Sequence, residues 1–502
     1  MITSQFAILI IIIPLISAFI IPILGWWKKD LCYYLALAAL LLSTIASIGV
    51  LITVIETGTV HYRLGGWAPP MGIEYAIDHL SAVMAVLLTV ISLNVAIYSK
   101  TSVDQELTGR TVPFYSIYLL LVTGLLGIVL TGDLFNLYVF LEVASLTAYG
   151  LIGLGDDKAP LASFRYVIMG TIGACFYLLG VGFLYIITGS LNMADVAERL
   201  PEFYSNKVIL VAFAFFIVGI GIKMAVFPMH AWLPDAYTHA PSAVSAFIAP
   251  TMTKVAAYAL IRIMFTVFKP YFSIELFPFT TILAWLGVIA MIIGSIYAIR
   301  QRDLKRMLAY SSIAQIGYIL LGIGLANRLG LTGGLLHILN HAFMKGCLFM
   351  VAGAIIYKTG VRDIYQFKDL YRKMPYTMTA FTIAALSMIG IPPTGGFFSK
   401  LYLILGSINS GQWVFVAVIL FSSILNVIYF TNVIKNAYFG PPEEELDEEA
   451  VRNAGKSVAM DEVPLVMRVP ILVMAAVIIL LGVFNGPIIS IVLDPFIPTG
   501  IP

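Results

Sequence analysis

Residues 207–236 read KVILVAFAFFIVGIGIKMAVFPMHAWLPDA, an apolar run that meets a lysine at 223 and then prolines at 228 and 234. About 20 mostly apolar residues are what a helix needs to cross a bilayer. The two prolines remove hydrogen bonds that would carry that helix on. A spanning helix with a charge near its end and a break beside it is the unit from which the rest of the chain is read.

Working outward, 60% of the 502 residues are apolar and only 11% are charged, against roughly a quarter charged in soluble domains. Fourteen segments between residues 5 and 485 are long and apolar enough to span a membrane, the seventh at 207–228 and the twelfth at 376–409. The expectation is an all-α polytopic membrane protein of about 14 transmembrane helices. The first apolar run, Phe6 to Trp27, is followed by Lys28 and Lys29 and reads as a retained anchor. A net charge of +2, with no basic run interleaved with aromatics, excludes a nucleic-acid partner. Cys32, Cys175 and Cys347 are far apart with no CxxC pair, so neither an iron–sulfur cluster nor a disulfide framework is encoded, and all three read as packing residues.

Loop charge sets an orientation. Odd-numbered loops hold 19 Lys or Arg and even-numbered loops 5, which places the odd loops in the cytoplasm and both termini outside. The acidic run Glu443–Glu449 would then be a solvated cytoplasmic loop, and the Gly/Pro/Trp-rich stretch from Arg63 to Gly72 a short hairpin on the other side.

Of the 29 basic residues, 24 fall in loops, leaving Lys223, Lys254, Arg262, Lys345 and Lys400 inside spans. A lysine at mid-bilayer costs about 2.5–3.5 kcal/mol on insertion scales, so four represent roughly 10 kcal/mol that packing alone does not retain. Arg262 and Lys345 are also open to a reading as snorkelling side chains near helix ends. Glu142 is the one carboxylate well inside a span. Desolvation disfavours a lysine's charged form and a nearby carboxylate favours it, so a lysine between those influences can load and release a proton.

The twelfth span repeats the pattern of the seventh, because GIPPTGGFFSK (390–400) sets two prolines and two glycines just before Lys400. Non-helical backbone at depth is tolerated only against protein or a wet cavity, so each break beside a lysine predicts a hydrated half-site. Spans four to eight (113–268) and nine to thirteen (279–438) are five helices each, and an odd number inverts the second unit relative to the first. Residues 1–112 supply three preceding helices, and 439–502 the acidic loop and the last helix. In this alignment Asp133-Leu134 matches Asp303-Leu304, and Glu142 falls opposite Ser312, so the second unit lacks an acid of its own. Between the breaks, His337, His341 and Lys345 recur at i, i+4 and i+8 on one helix face. That stripe suits a proton relay, a metal or haem site, or inert polar packing.

Five stretches carry a family resemblance: TGDLFNLYVFLEV, KMAVFPMHAWLPDAYTHAPSAVSAF, DLKRMLAYSSIAQIG, HILNHAFMKG and GIPPTGGFFSK. Over about residues 113–438 the chain resembles the antiporter-like subunits of respiratory complex I and of Mrp multisubunit sodium/proton antiporters, most of all the Mrp D subunit. The resemblance extends to Mrp-derived modules of membrane-bound hydrogenases and sulfur-reducing complexes. It implies that Glu142 and Lys223 are an input pair, Lys254 a central lysine, His337 and His341 bridging groups with Lys345 beside them, and Lys400 a terminal lysine. It further implies other membrane subunits as partners, protons and sodium as the ions handled, the cell membrane as location, and no cofactor or metal. A lysine at 400 separates the chain from the complex I type that has glutamate there, and Val255 stands where many relatives have glycine. Two rivals remain at this level. A stand-alone secondary cation transporter would show two or more buried acids in a compact site, and a redox subunit would hold haem or quinone.

Overall fold

The computed structural model describes residues 2–155, 157–440, 460–498 and 500–501. The acidic run Glu443–Glu449 therefore lies outside the described residues. In chain order the helices are α1 (Ile2–Gly25), α2 (Lys29–Thr57), α3 (His79–Glu106), α4 (Thr111–Leu130), α5 (Leu134–Gly153), α6 (Ala159–Thr188), the short α7 (Met193–Arg199), α8 (Lys207–Met224) and α9 (Trp232–His239). They continue with α10 (Ser242–Ile261), α11 (Phe279–Ile299), α12 (Leu304–Gly324), α13 (Arg328–Thr359), α14 (Leu370–Lys373), α15 (Pro375–Ile389), α16 (Gly395–Asn409), α17 (Trp413–Phe439) and α18 (Leu465–Val483). Among the described residues, 13 helices are long and apolar enough to cross a membrane. The chain is a helical, multi-pass membrane protein.

The twelfth span is broken as expected, into two helices of 15 residues, α15 and α16, joined across residues 390–394 with Gly390 at φ 97°. Pro392 and Pro393 lie in that link, where no helical hydrogen bond is lost. The seventh span ends at Met224, its C-cap Ala225 taking the left-handed conformation at φ 60°, and resumes as α9. Pro228 lies in the link. Pro234 does not break anything, because it sits in the first turn of α9, where its missing N–H would have had no helical partner. The expected hairpin forms on either side of the Gly/Pro-rich loop, with β1 (Val60–Arg63) antiparallel to β2 (Glu74–Ile77) and Val60 opposite Ile77.

Burial sorts the helices into an axis and a shell. The most apolar window of α13 is 100% buried and those of α10 and α12 94%, against 39% for α1, α6, α17 and α18. The outer helices present their apolar faces to lipid, so hydropathy alone does not separate the two classes. α11 and α12 meet backbone to backbone, since a Cβ on Gly317 would stand 2.5 Å from the carbonyl oxygen of Gly287. Of the cysteines, Cys32 and Cys347 are buried, but Cys175 is exposed on α6, so the packing reading holds for two of the three.

One local arrangement occurs twice. Asp133 caps α5 through Asn136 N at 2.7 Å, and Leu134 N donates to Leu191 O at 2.8 Å, beyond the end of α6. Asp303 caps α12 through Arg306 N at 2.9 Å, and Leu304 N donates to Arg362 O at 2.9 Å, beyond the end of α13. In each case an aspartate N-cap ties the start of one spanning helix to the strand-like segment after the next.

Candidate functional site

The first break brings three elements together. On α5, Glu142, Ser145 and Tyr149 are spaced at i, i+3 and i+7 and share a face. Lys223, in the last turn of α8, reaches that face. Its Nζ donates to Ser145 Oγ at 2.6 Å and to Tyr149 OH at 3.4 Å, and stands 3.6 Å from Glu142 Oε1. The ammonium is held more closely by the serine than by the acid. The lysine side chain is 6% exposed and the glutamate 25%. Glu142 sits beside the exposed apolar residues Val139 and Leu146 of the same helix. Tyr149 meets Tyr166 edge to face at 4.6 Å, and Tyr166 stacks on Trp232 of α9 at 3.9 Å and 4°. Trp232 Nε1 in turn donates at 2.9 Å to Ile222 O, which also accepts from Ala225 N at 3.1 Å where α8 stops.

Next to this cluster stands α10. A cleft of about 30 Å³ is lined by Lys223, Ser145 and Tyr166 together with Met252, Val255 and Ala256 of α10, and Tyr166 OH reaches Met252 Sδ at 3.9 Å. The cleft has room for about one water, in walls that are largely apolar. Pro250 interrupts the α10 ladder one turn before Lys254. The fully buried Lys254 donates from Nζ to Ala249 O at 2.7 Å and to Thr253 Oγ1 at 3.3 Å.

The α13 stripe is only partly a continuous line. His337 and His341 stack at 5.8 Å with 10° between planes, and His337 lies 5.4 Å from the ring of Tyr318. His337 Nδ1 is 2.9 Å from Ser399 Oγ and its Nε2 is 3.0 Å from Gln315 Oε1. Both ring nitrogens of His341 are buried without a protein hydrogen-bond partner among the described residues. Lys345 turns off the stripe toward α12, donating to Leu308 O at 2.7 Å and to Ser311 Oγ. It is fully buried, so it does not snorkel.

The second break holds Lys400 differently. Lys400 follows the break, on α16, and folds back so that Nζ donates to Met388 O and Ile389 O, both at 2.9 Å, at the end of α15. Ser423 Oγ on α17 adds a third contact at 3.0 Å, and the ring of Tyr318 lies 4.8 Å away. Opposite Glu142 in the sequence alignment, Ser312 points its hydroxyl at Leu308 O of its own helix.

Two charged groups have roles the sequence did not separate. Arg262 is buried and held by Asp78, the N-cap of α3, with Ser81 and Tyr258. Burial alone would raise the Asp78 carboxyl, but the Arg262 guanidinium holds it below the usual carboxylate range. Arg262 is thus a tie between α3 and α10 rather than a snorkelling cation. Lys305 counted as a loop charge, yet it is buried, with Nζ 2.5 Å from Ala240 O. Its position just after an N-cap, where a cation opposes the helix dipole, was the available signal.

Comparison with known proteins bears on the family and the fold. Residues 131–426 match the family described as NADH:quinone oxidoreductase/Mrp antiporter, TM. The chain is 46% identical over 503 residues to the NADH-quinone oxidoreductase N subunit of Desulforudis audaxviator, covering 100% of both. It is 32% identical over 447 residues to the Na(+)/H(+) antiporter D subunit of Alkalihalophilus pseudofirmus, covering 88% of this chain and 87% of that protein. Among solved structures, it superimposes on a chain of the membrane-bound sulfane sulfur reductase, an archaeal respiratory membrane complex, with a TM-score of 0.89 and 31% identity, covering 98% and 97% of the two chains. The chain belongs to the NADH:quinone oxidoreductase/Mrp antiporter family and is an antiporter-like membrane subunit of the Mrp and complex I-like type.

Proposed function

We propose that this subunit moves protons sideways through the membrane plane, from Glu142 to Lys223, Lys254, His341, His337 and Lys400, with Lys345 flanking the line. The observation that carries this reading is a single acid at 3.6 Å from the first of a row of buried basic groups. While Glu142 is near, it favours the charged form of Lys223. Drawn away, it leaves the ammonium with neutral hydroxyls in a low-dielectric setting, which favours release toward α10. The narrow cleft between Lys223 and α10 is the step that must wet before a proton crosses. His341, with both nitrogens lacking protein partners among the described residues, is a second place for water, since leaving a buried polar group unpaired costs about 1–3 kcal/mol.

The subunit works within a larger Mrp-type sodium/proton antiporter or Mrp-containing respiratory complex of the cell membrane. Supporting this, Glu142 is a quarter exposed on an otherwise apolar face. Lipid solvates a carboxylate poorly, so a neighbouring subunit is expected to cover it. A stand-alone cation transporter is the weaker reading, because this row offers one carboxylate where a compact cation site would use several. Residues 113–268 and 279–438 are proposed as inverted repeats, supported by the twice-used aspartate caps and their backbone ties. The charge distribution of 19 against 5 supports cytoplasmic odd loops and external termini.

Two measurements test this. Reconstituted alone in liposomes, the purified chain is expected to show no sodium/proton exchange, while the intact complex does; robust exchange by the single chain would establish the stand-alone transporter instead. Cysteines introduced at residues 443–449 should react with an impermeant reagent only when it reaches the inner face, and labelling of intact cells would reverse the orientation.

A further inference from the structure

The charge pattern around α9 is not used by the proton line. α9 is the eight-residue helix that resumes the seventh span after its break, about 12 Å long at 1.5 Å per residue. Its first residue, Trp232, is fastened to the Lys223 site through Ile222 O and through the Tyr166–Tyr149 stack. From Asp235 in its first turn to its C-cap Ala240, α9 is also tied by three cations of the other half of the molecule, while Arg165 of α6 pairs with Asp235 Oδ2 at 2.6 Å from its own half. Arg306 Nη1 reaches Asp235 Oδ1 at 3.1 Å, Arg362 Nη2 reaches Thr238 O at 2.7 Å, and Lys305 Nζ reaches Ala240 O at 2.5 Å.

The placement has a physical logic. A helix C-terminus ends in unpaired carbonyls and carries partial negative charge, which cations complement. Lys305 and Arg306 begin α12, the helix whose Gln315 contacts His337 and whose Ser311 holds Lys345. Arg362 follows α13, which carries both histidines, and its Nε also donates to Asp303 Oδ2, the α12 cap, at 2.8 Å. One end of α9 therefore reaches Tyr149, a partner of Lys223, through Tyr166, and the rest of it is tied to the start of α12 and to the segment after α13.

We infer that α9 is a coupling rod: a change at the Glu142–Lys223 pair is passed through it to α12 and α13, with Lys305, Arg306 and Arg362 as positioning residues for transfer beyond Lys254. The inference rests on the lateral path proposed above. The simpler alternative is that these contacts only hold the two halves together. Partly exposed ion pairs such as Asp235–Arg306 contribute little to stability, so a purely cohesive role predicts little effect on transport when one is removed.

The test uses the intact complex in proteoliposomes, with exchange normalised to assembled subunit. Arg306→Gln is expected to assemble normally and to slow exchange about tenfold, within the roughly 5- to 150-fold range typical of coupling between sites. Arg306→Lys should restore at least half the rate. If Arg306→Gln assembles poorly, Asp235→Asn provides the reading with Arg165→Gln as its control, because Asp235 Oδ2 also pairs with Arg165 Nη1 of α6 at 2.6 Å; Arg165→Gln is expected to exchange at near wild-type rate. Combined with Glu142→Asp, either clasp variant should be no slower than the slower single variant, because both damage one coupled step. Losses that multiply, or clasp variants at wild-type rate beside an impaired Glu142→Asp, overturn the rod and leave the lateral path standing. Normal exchange by Glu142→Gln would overturn the path, and the rod with it.

Discussion

Lys223 and Lys400 each stand at a broken helix, yet they are held by different chemistry. Lys223 has two hydroxyls and a carboxylate that is loosely engaged and partly exposed. Lys400 has two backbone carbonyls at the end of a half-helix, one hydroxyl and an aromatic ring. Carbonyls fixed by helical geometry cannot be withdrawn without unwinding α15, whereas a side-chain carboxylate can swing. On the lateral path proposed above, the first half-site is the one that switches and the second the one that receives, so that one acid serves the row.

The comparison breaks most completely if the row is not continuous. Lys254→Met removes the group between the two sites, and exchange by the assembled complex should fall by on the order of a thousandfold, as for loss of a proton-transfer group. Retained exchange would mean the half-sites act independently.

Hydroxyl deletions should then separate the two lysines. Ser145→Ala removes the shortest contact of Lys223, a hydrogen bond to a charged group worth about 1.5–3 kcal/mol, so exchange should drop roughly 10- to 100-fold. Ser423→Ala leaves Lys400 with both carbonyls and should reduce exchange only about threefold. Equal losses in the two variants would show that the sites are held alike.

The smallest transport effect belongs to a buried cation outside the row. Arg262→Gln leaves the Asp78 carboxylate without its partner, a loss of about 3–5 kcal/mol for a buried pair. The complex should melt at lower temperature while exchange per assembled subunit stays unchanged. A transport defect at normal stability would bring Arg262 into the path.

The sequence disclosed the breaks and the in-span lysines because proline and glycine act locally and charge is rare in lipid-facing segments. It could not disclose how each lysine is held. Ser145 and Tyr149 are ordinary residues until Lys223 reaches them, and Asp78 and Arg262 are separated by 184 positions. Lys345 shares a helix face with the histidines by periodicity, but its long side chain finds Leu308 O across the helix interface instead. Lys305 was lost to the loop count because it follows Asp303, which marks a helix start without revealing how deep that start is buried. The break in the twelfth span was legible for the same local reason, since Pro392, Pro393, Gly395 and Gly396 fall together before Lys400, although hydropathy averaged over the segment does not show it.

The central claim is that Glu142 switches Lys223, and the most direct measurement is exchange by the intact complex carrying Glu142→Gln or Glu142→Asp, normalised to assembled subunit. Loss of one positioned proton-transfer group costs about 10²–10⁴-fold, so the Gln variant should be slower by roughly two to three orders of magnitude. The Asp variant keeps the charge and should keep partial activity. A Gln variant that assembles normally and exchanges at near wild-type rate would contradict the account.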